Sequence, residues 1–224
     1  MKAFILAAGR GQRLQPLTNH TPKPLVEVHG KPLLLHHLLA LKKAGFRDIV
    51  INVSWLGEQI IDFLKSQTPS GLHITISDER NQALETGGGM LKALKYLGES
   101  PFLSINADVF TDIDYSLLKK PSLNNDLLRL VLVPNPEHNR AGDFSIVQNR
   151  LCQATANQQT YTYSGIGIYS PVLYHSVQHR RNEPFSVVPL IHQAIKNKQA
   201  GGYIYTGHWT DVGTIERFAE LNQR

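Results

Sequence analysis

The 224-residue chain carries a formal net charge of +5 and 42% apolar residues, ordinary values for a globular protein able to bury a substantial core. Its cations are scattered, without the basic tract and interleaved aromatics of a nucleic-acid groove, and a single cysteine, Cys152, excludes an internal disulfide. No run reaches membrane-span length, and Gly9-Arg10 breaks the apolar stretch of a signal peptide, so a cytoplasmic protein with neither membrane nor nucleic-acid partners is expected.

In chain order, residues 3–6 read as a buried first strand, followed by a glycine-rich loop and a short strand over 25–28. Residues 33–44 have helical spacing and stop at Gly45, a C-cap. The β-branched run 49–53 is a second core strand, 56–64 a helix and 73–77 a strand. Three glycines, 87–89, precede a helix over 90–97, and 101–106 is a further strand. From Leu127 the texture changes. Strands are expected over 128–133, 144–147 and 161–169, with a break at 134–136. A helix over 186–198 has Ser186 as its N-cap and ends at Gly201-Gly202. Residues 203–206 then form a strand and 214–221 a last helix, with Thr214 as cap. Strands alternating with helices indicate an α/β fold with a mainly parallel sheet, and no linker or repeat divides residues 1–224, so one domain is expected.

Chemistry concentrates after the first strand. Residues 6–18 read Leu-Ala-Ala-Gly-Arg-Gly-Gln-Arg-Leu-Gln-Pro-Leu-Thr, and 22–25 read Pro-Lys-Pro-Leu. Glycines let bare backbone N–H groups approach an anion, and Arg10, Arg13 and Lys23 add charge that no core explains. A polyphosphate site is the reading. The dinucleotide fingerprint fails because Leu14 stands where its third glycine belongs, and no Walker Gly-Lys-Ser/Thr exists. Asp108, just beyond the 101–106 strand, reads equally as a ligand for a hard cation or as a turn former. Asp211 reads as a turn residue before the last helix. Ten histidines show no metal spacing; His36 and His37 are adjacent and face apart on their helix.

The string from Leu6 to Thr18 with Pro22-Lys23-Pro24-Leu25 closely resembles the sugar nucleotidyltransferase family, and the match runs nearly unbroken from Lys2 to Leu25. These enzymes join a sugar 1-phosphate to a nucleoside triphosphate and release pyrophosphate. The resemblance implies a Rossmann-like three-layer α/β fold with a mixed, mainly parallel central sheet. It gives Arg13 and Lys23 the catalytic role of holding the β and γ phosphates. It puts Ala8, Gly9, Gly11 and Gly87 in main-chain contact with the nucleotide. Asn106, Gly142 and Ser164 fall on the sugar side. Asp108, with Ala107 where the family usually has glycine, and Asp211, in Trp-Thr-Asp-Val-Gly-Thr, become the two magnesium ligands.

One departure stands out. The Glu-Lys pair with which thymidylyl- and guanylyltransferases reach the sugar phosphate is missing between Asp143 and Thr160, which leaves that clamp unassigned. The missing pair, Glu-Thr-Gly-Gly-Gly at 85–89 and Gly-His-Trp-Thr-Asp-Val-Gly-Thr at 207–214 look like a uridylyltransferase branch, so UTP is the expected donor. Rival readings are a guanylyl- or thymidylyltransferase, a silent nucleotide-sugar sensor, or a nucleic-acid binder. No assembly element is visible, consistent with a monomer. The exposed, cationic 9–21 loop suits a lid that closes on substrate.

Overall fold

The computed structural model of the protein describes residues 1–119, 123–155 and 158–223. The strands are β1 (Ala3–Leu6), β2 (Glu27–Val28), β3 (Lys31–Pro32), β4 (Asp48–Val53), β5 (His73–Asp78), β6 (Phe102–Asn106) and β7 (Val109–Thr111) in the first half. The second half adds β8 (Leu128–Val133), β9 (Phe144–Val147), β10 (Arg150–Gln153), β11 (Thr160–Tyr169), β12 (Ala200–Ile204) and β13 (Trp209–Asp211). The helices are α1 (Leu33–Lys43), α2 (Gly57–Gln67), α3 (Glu85–Leu97), α4 (Val188–Lys196) and α5 (Ile215–Asn222).

Nine strands form one sheet in the order β5-β4-β1-β6-β11-β8-β12-β10-β9. From β5 to β6 all neighbours are parallel, because each of these strands is followed through a helix by the next, α1 before β4, α2 before β5 and α3 before β6. β11 then runs antiparallel to β6 and β8, β12 is parallel to β8, and β9 and β10 form an antiparallel hairpin. The sheet is mixed, as expected, with its continuous parallel run in the N-terminal half and one further parallel pair, β8 with β12, in the C-terminal half.

Strand residues alternate between two cores. Ala3, Ile5, Ile49, Ile51 and Val53 join Leu34, Leu38 and Leu41 of α1 and Ile60 and Leu64 of α2 on one face. Phe4, Val50 and Phe102 join Met90, Ala93 and Leu97 of α3 and Ile191 and Ala194 of α4 on the other. Burial on both faces is why these strands read as continuous apolar runs. The result is helix–sheet–helix, three layers. A third, small core of Leu14, Val28, Leu33, Val212 and Leu221 ties the glycine-rich loop to the C-terminal helix.

Several boundaries differ from expectation. Leu25 belongs to a 3-10 turn over 23–25, so the strand expected over 25–28 shortens to β2, which pairs with β3. Gly87–89 lie inside α3, not before it, because neighbouring groups fill the space their side chains would need. α4 begins at Val188; the Ser186 hydroxyl accepts the Val188 N–H at 3.2 Å but does not cap the helix. Gly201 and Gly202 sit in β12, where a Cβ would press on Asp126 and Leu151, so they continue the sheet rather than end the helix. Three short strands, β7, β10 and β13, were too brief to show a period.

Candidate active site

Parallel strands present their C-terminal ends on one edge, where ligands of open α/β sheets bind. There β1 opens into a loop that lines a cleft of about 600 Å³. Ala8, Gly9, Gly11, Arg13 and Lys23 all line it, with Asn106 and Asp108 from the end of β6 and Gly213 from the turn after β13. The N–H groups of Ala8, Gly9, Arg10 and Gly11 find no acceptor among the described residues. Successive N–H groups of this kind make an anion-binding concavity. Gly11 is left-handed, φ 65°, a conformation that suits glycine, and its Leu14 N–H to Gly11 carbonyl bond of 2.9 Å closes the turn.

The loop is anchored at both ends. At the near end the Ala7 N–H donates to Asn52 Oδ1 at 2.7 Å, and Asn52 Nδ2 donates to Glu79 Oε1 at 2.9 Å. Glu79 Oε2 accepts the Leu84 N–H at 3.1 Å, so one buried carboxylate links the end of β1 to the segment before α3. Burial pushes the Glu79 carboxyl up, against the pull of Asn52 and the Leu84 amide. At the far end the Thr18 hydroxyl donates to the Gly11 carbonyl at 2.8 Å and Trp55 Nε1 donates to the Thr18 carbonyl at 3.1 Å. The Arg10 guanidinium rests 4.7 Å from the Trp55 ring centre.

Two carboxylates about a hundred residues apart are brought together by strand pairing, Asp108 of the cleft wall and Asp211 beside it. β7 pairs antiparallel with β13, setting Asp211 opposite Val109, and the Val212 N–H donates to the Asp108 carbonyl at 2.8 Å. Lys23 Nζ pairs with Asp108 Oδ2. Arg217 Nη1 donates to Asp211 Oδ1 at 2.6 Å, with His138 Nε2 3.1 Å from the same oxygen. Burial raises the Asp211 carboxyl above its usual range; Arg217 and His138 pull it back, and the charge of Asp108 pushes it further up.

These residues fit a divalent cation of the hard kind. Both carboxylates offer oxygen, and no cluster of three or more His, Cys, Asp or Glu that could hold a metal by itself occurs among the described residues. Such a pair suits a hard divalent cation that completes its shell with substrate phosphates and water.

Three expected contacts lie elsewhere. Gly87 packs on Phe185, where a Cβ would come within 2.5 Å, and it is Ala83, Glu85 and Thr86 of this segment that line the cleft. The Ser164 hydroxyl is turned inward, donating to the Val131 carbonyl at 2.7 Å, while its carbonyl accepts Trp209 Nε1 at 2.9 Å. Gly142 supports a turn against Asn135 and Thr160 and does not line the cleft. Asn106 is at the wall, pressed close to Gly165, where a Cβ would fall 2.7 Å from its Nδ2. Asn52, Glu79, His138 and Arg217 carried no signal strong enough to single them out in the sequence.

A glycine-rich loop with unpaired N–H groups, facing cations and two convergent carboxylates defines a site for transfer between phosphates. The nucleotidyl transferase family model matches residues 2–224, and the chain belongs to that family. It is 43% identical, over 98% of its length and 96% of the relative's, to the N-acetylmuramate alpha-1-phosphate uridylyltransferase of Neisseria meningitidis serogroup B. It is 30% identical over 97% of its length to the mannose-1-phosphate guanylyltransferase catalytic subunit beta of Danio rerio, and spans 62% of that protein. Among solved structures, HddC from Yersinia pseudotuberculosis superposes with a TM-score of 0.78 at 26% identity, covering 99% of this chain and 98% of that one. The inositol-1-phosphate CTP transferase of T. maritima gives 0.77 at 18% identity, covering 98% and 95%, a likeness of fold.

Proposed function

We propose that the protein, acting as one catalytic domain, transfers the uridylyl group of UTP to N-acetylmuramic acid 1-phosphate. The products are UDP-N-acetylmuramic acid and pyrophosphate, a step suited to peptidoglycan recycling in the cytoplasm. The observation that carries the reaction type is the meeting of Lys23, Asp108 and Asp211 beside the 8–13 loop. The choice of UTP and of the muramyl sugar is supported by the near full-length similarity to the Neisseria enzyme.

In this reaction an ionised oxygen of the sugar phosphate attacks the α-phosphorus of UTP. A new P–O bond forms, the bond from the α-phosphorus to the α,β-bridging oxygen breaks, and pyrophosphate leaves with the electron pair. No protein base is needed, since the attacking oxygen already carries charge. Positioning and charge neutralisation supply the rate. The 8–11 amides and Arg13 hold the triphosphate, and Lys23 follows the charge onto the leaving pyrophosphate. Asp108 and Asp211 would hold magnesium, which supplies further neutralisation of the phosphate oxygens.

Pyrophosphate release with magnesium, crossing UTP, dTTP, GTP and ATP with muramyl, glucosaminyl, glucosyl and mannosyl 1-phosphates, tests the reading. Turnover is expected for UTP with N-acetylmuramic acid 1-phosphate. Asp108→Asn is expected to lower kcat by about a hundredfold or more, with the protein still folded. Selective turnover of GTP with mannose 1-phosphate would move the substrates to the second reading, which the similarity to the guanylyltransferase favours. Tight nucleotide binding without turnover of any pair would sink the enzymatic one.

A further inference from the structure

We propose that Arg217, with His138 beside it, is the cation that receives the phosphate of the sugar 1-phosphate; the proposal rests on the reaction above. That reaction brings two anions to one pair of carboxylates. The triphosphate is served by the loop amides, Arg13 and Lys23 on the Asp108 side of the cleft. On the Asp211 side the groups whose charge reaches the carboxylate are Arg217 and His138, then Asp108 and Lys23 from across the site.

Arg217 is built into this place. It sits in the first turn of α5, whose N-cap Thr214 accepts the Arg217 N–H at 3.4 Å. Its side chain is 14% exposed, held rather than waving in solvent. Nη1 donates to Asp211 Oδ1 at 2.6 Å and to His138 Nε2 at 2.7 Å. Nε and Nη2 have no acceptor among the described residues, so half of the guanidinium fork is unused. Nη2 lies over Gly213, so close that a Cβ there would be 2.0 Å away, and Gly213 lines the cleft. Nη2 thus sits directly against a residue of the cleft wall. A guanidinium with its Nε/Nη2 edge free suits a tetrahedral phosphate better than a point charge does.

His138 comes from the 3-10 turn 137–139, in the same connection as Gly142, between β8 and β9. Its Nε2 lies 2.7 Å from Arg217 Nη1 and 3.1 Å from Asp211 Oδ1, so the ring stands beside the guanidinium as a second polar group. The arrangement mirrors Lys23 on Asp108. Without substrates each carboxylate is neutralised by one cation. As the two phosphates enter, each cation passes from carboxylate to phosphate, and both carboxylates become free to coordinate.

The test is steady-state kinetics of Arg217→Gln and Arg217→Lys with UTP, magnesium and N-acetylmuramic acid 1-phosphate, after melting curves show both folded. Arg217→Gln is expected to raise the KM of the sugar phosphate by about tenfold or more while the KM of UTP stays within about twofold. Arg217→Lys should recover part of the loss. An equal rise in both KM values, or a change confined to UTP or to the magnesium needed for half activity, would show a role in holding Asp211 alone and overturn the proposal. If the wild type turns over no pair, the reaction has failed separately. Calorimetric titration with glucose 1-phosphate then decides: binding weakened about tenfold in Arg217→Gln upholds the clamp, and equal or absent binding overturns it.

Discussion

His37 lies buried in α1, its Nδ1 2.9 Å from the Tyr115 hydroxyl, and burial holds its pKa down at about 4, aided by the neighbouring His36 and opposed by Asp108 and a Val109 backbone hydrogen bond. The unfolded chain takes up a proton near the ordinary imidazole value of 6.5, while the native protein resists until about 4. Stability is therefore fully present above the unfolded value and is lost as pH falls from 6.5 through 4, by about 3 kcal/mol in all. Urea unfolding at pH 7 and at pH 4.5 checks this. Wild type should lose about 2 kcal/mol more between the two than His37→Gln does, and parallel losses would refute it. The sequence placed His37 on a helix and gave it no role. Nor could it reveal Asn52 and Glu79, since one polar residue near the end of an apolar strand has no period. Their link to Ala7 and Leu84 exists only once β1, β4 and the segment before α3 are side by side. Arg13, Lys23 and Asp108 were legible because they sit in a long contiguous string or beside a strand end. Arg217 was not, because its meaning depends on the β7–β13 pairing.

At the scale of the element, α3 turns on three glycines that read in the sequence as a loop before the helix. Helix propensity alone would favour alanine at each by about 1 kcal/mol. The surroundings reverse that preference. A Cβ on Gly88 would lie 2.4 Å from the Glu183 carbonyl oxygen, one on Gly87 2.5 Å from the Phe185 ring, and one on Gly89 2.9 Å from Asn52 Nδ2. The Gly87 and Gly88 amides both donate to the Phe185 carbonyl, at 2.8 and 3.1 Å, so the 183–187 segment is docked on the helix start as though it were another strand. Gly88→Ala is expected to destabilise by roughly 1–3 kcal/mol, since backbone cannot move aside as a side-chain end can. A thermal melt reads this directly; an unchanged or raised Tm would mean that the segment yields. The apolar period that marked 90–97 as helix was sound. It could not show that the helix begins at Glu85, because glycine contributes no side chain to a period and is the residue least associated with helix interiors.

The whole molecule divides its labour along the sheet. The parallel half, β1, β4 and β6, ends in the nucleotide loop and Asp108, while the mixed half leads through β11 and β12 to Asp211 and α5. Alternation of strands and helices made the first half readable. The second half reverses strand direction through short hairpins and a bulge between Tyr163 and Gly167, which leave weak periods. The two halves are joined behind the site by the smallest core, in which Leu14 of the loop meets Leu221 of α5 through Val28, Leu33 and Val212. Asn222 adds to this, accepting the His29 N–H at 2.9 Å and donating to the Glu27 carbonyl at 3.4 Å. Leu221 and Asn222 thus support the loop that lines the cleft. Leu221→Ala should cost about 2 kcal/mol or more, and its effect should travel. Hydrogen exchange is expected to quicken at residues 11–15, with the KM of UTP raised several-fold, while the amides of β8 in the centre of the sheet keep their protection. Unchanged exchange at residues 11–15 would mean that the loop is set by Asn52, Thr18 and Trp55 alone. The comparison is informative for closure as well. A loop pinned at Ala7 and Thr18 and packed at Leu14 can move over substrate only as a hinged unit, so nucleotide should protect residues 9–21 together in the wild type and less completely in Leu221→Ala.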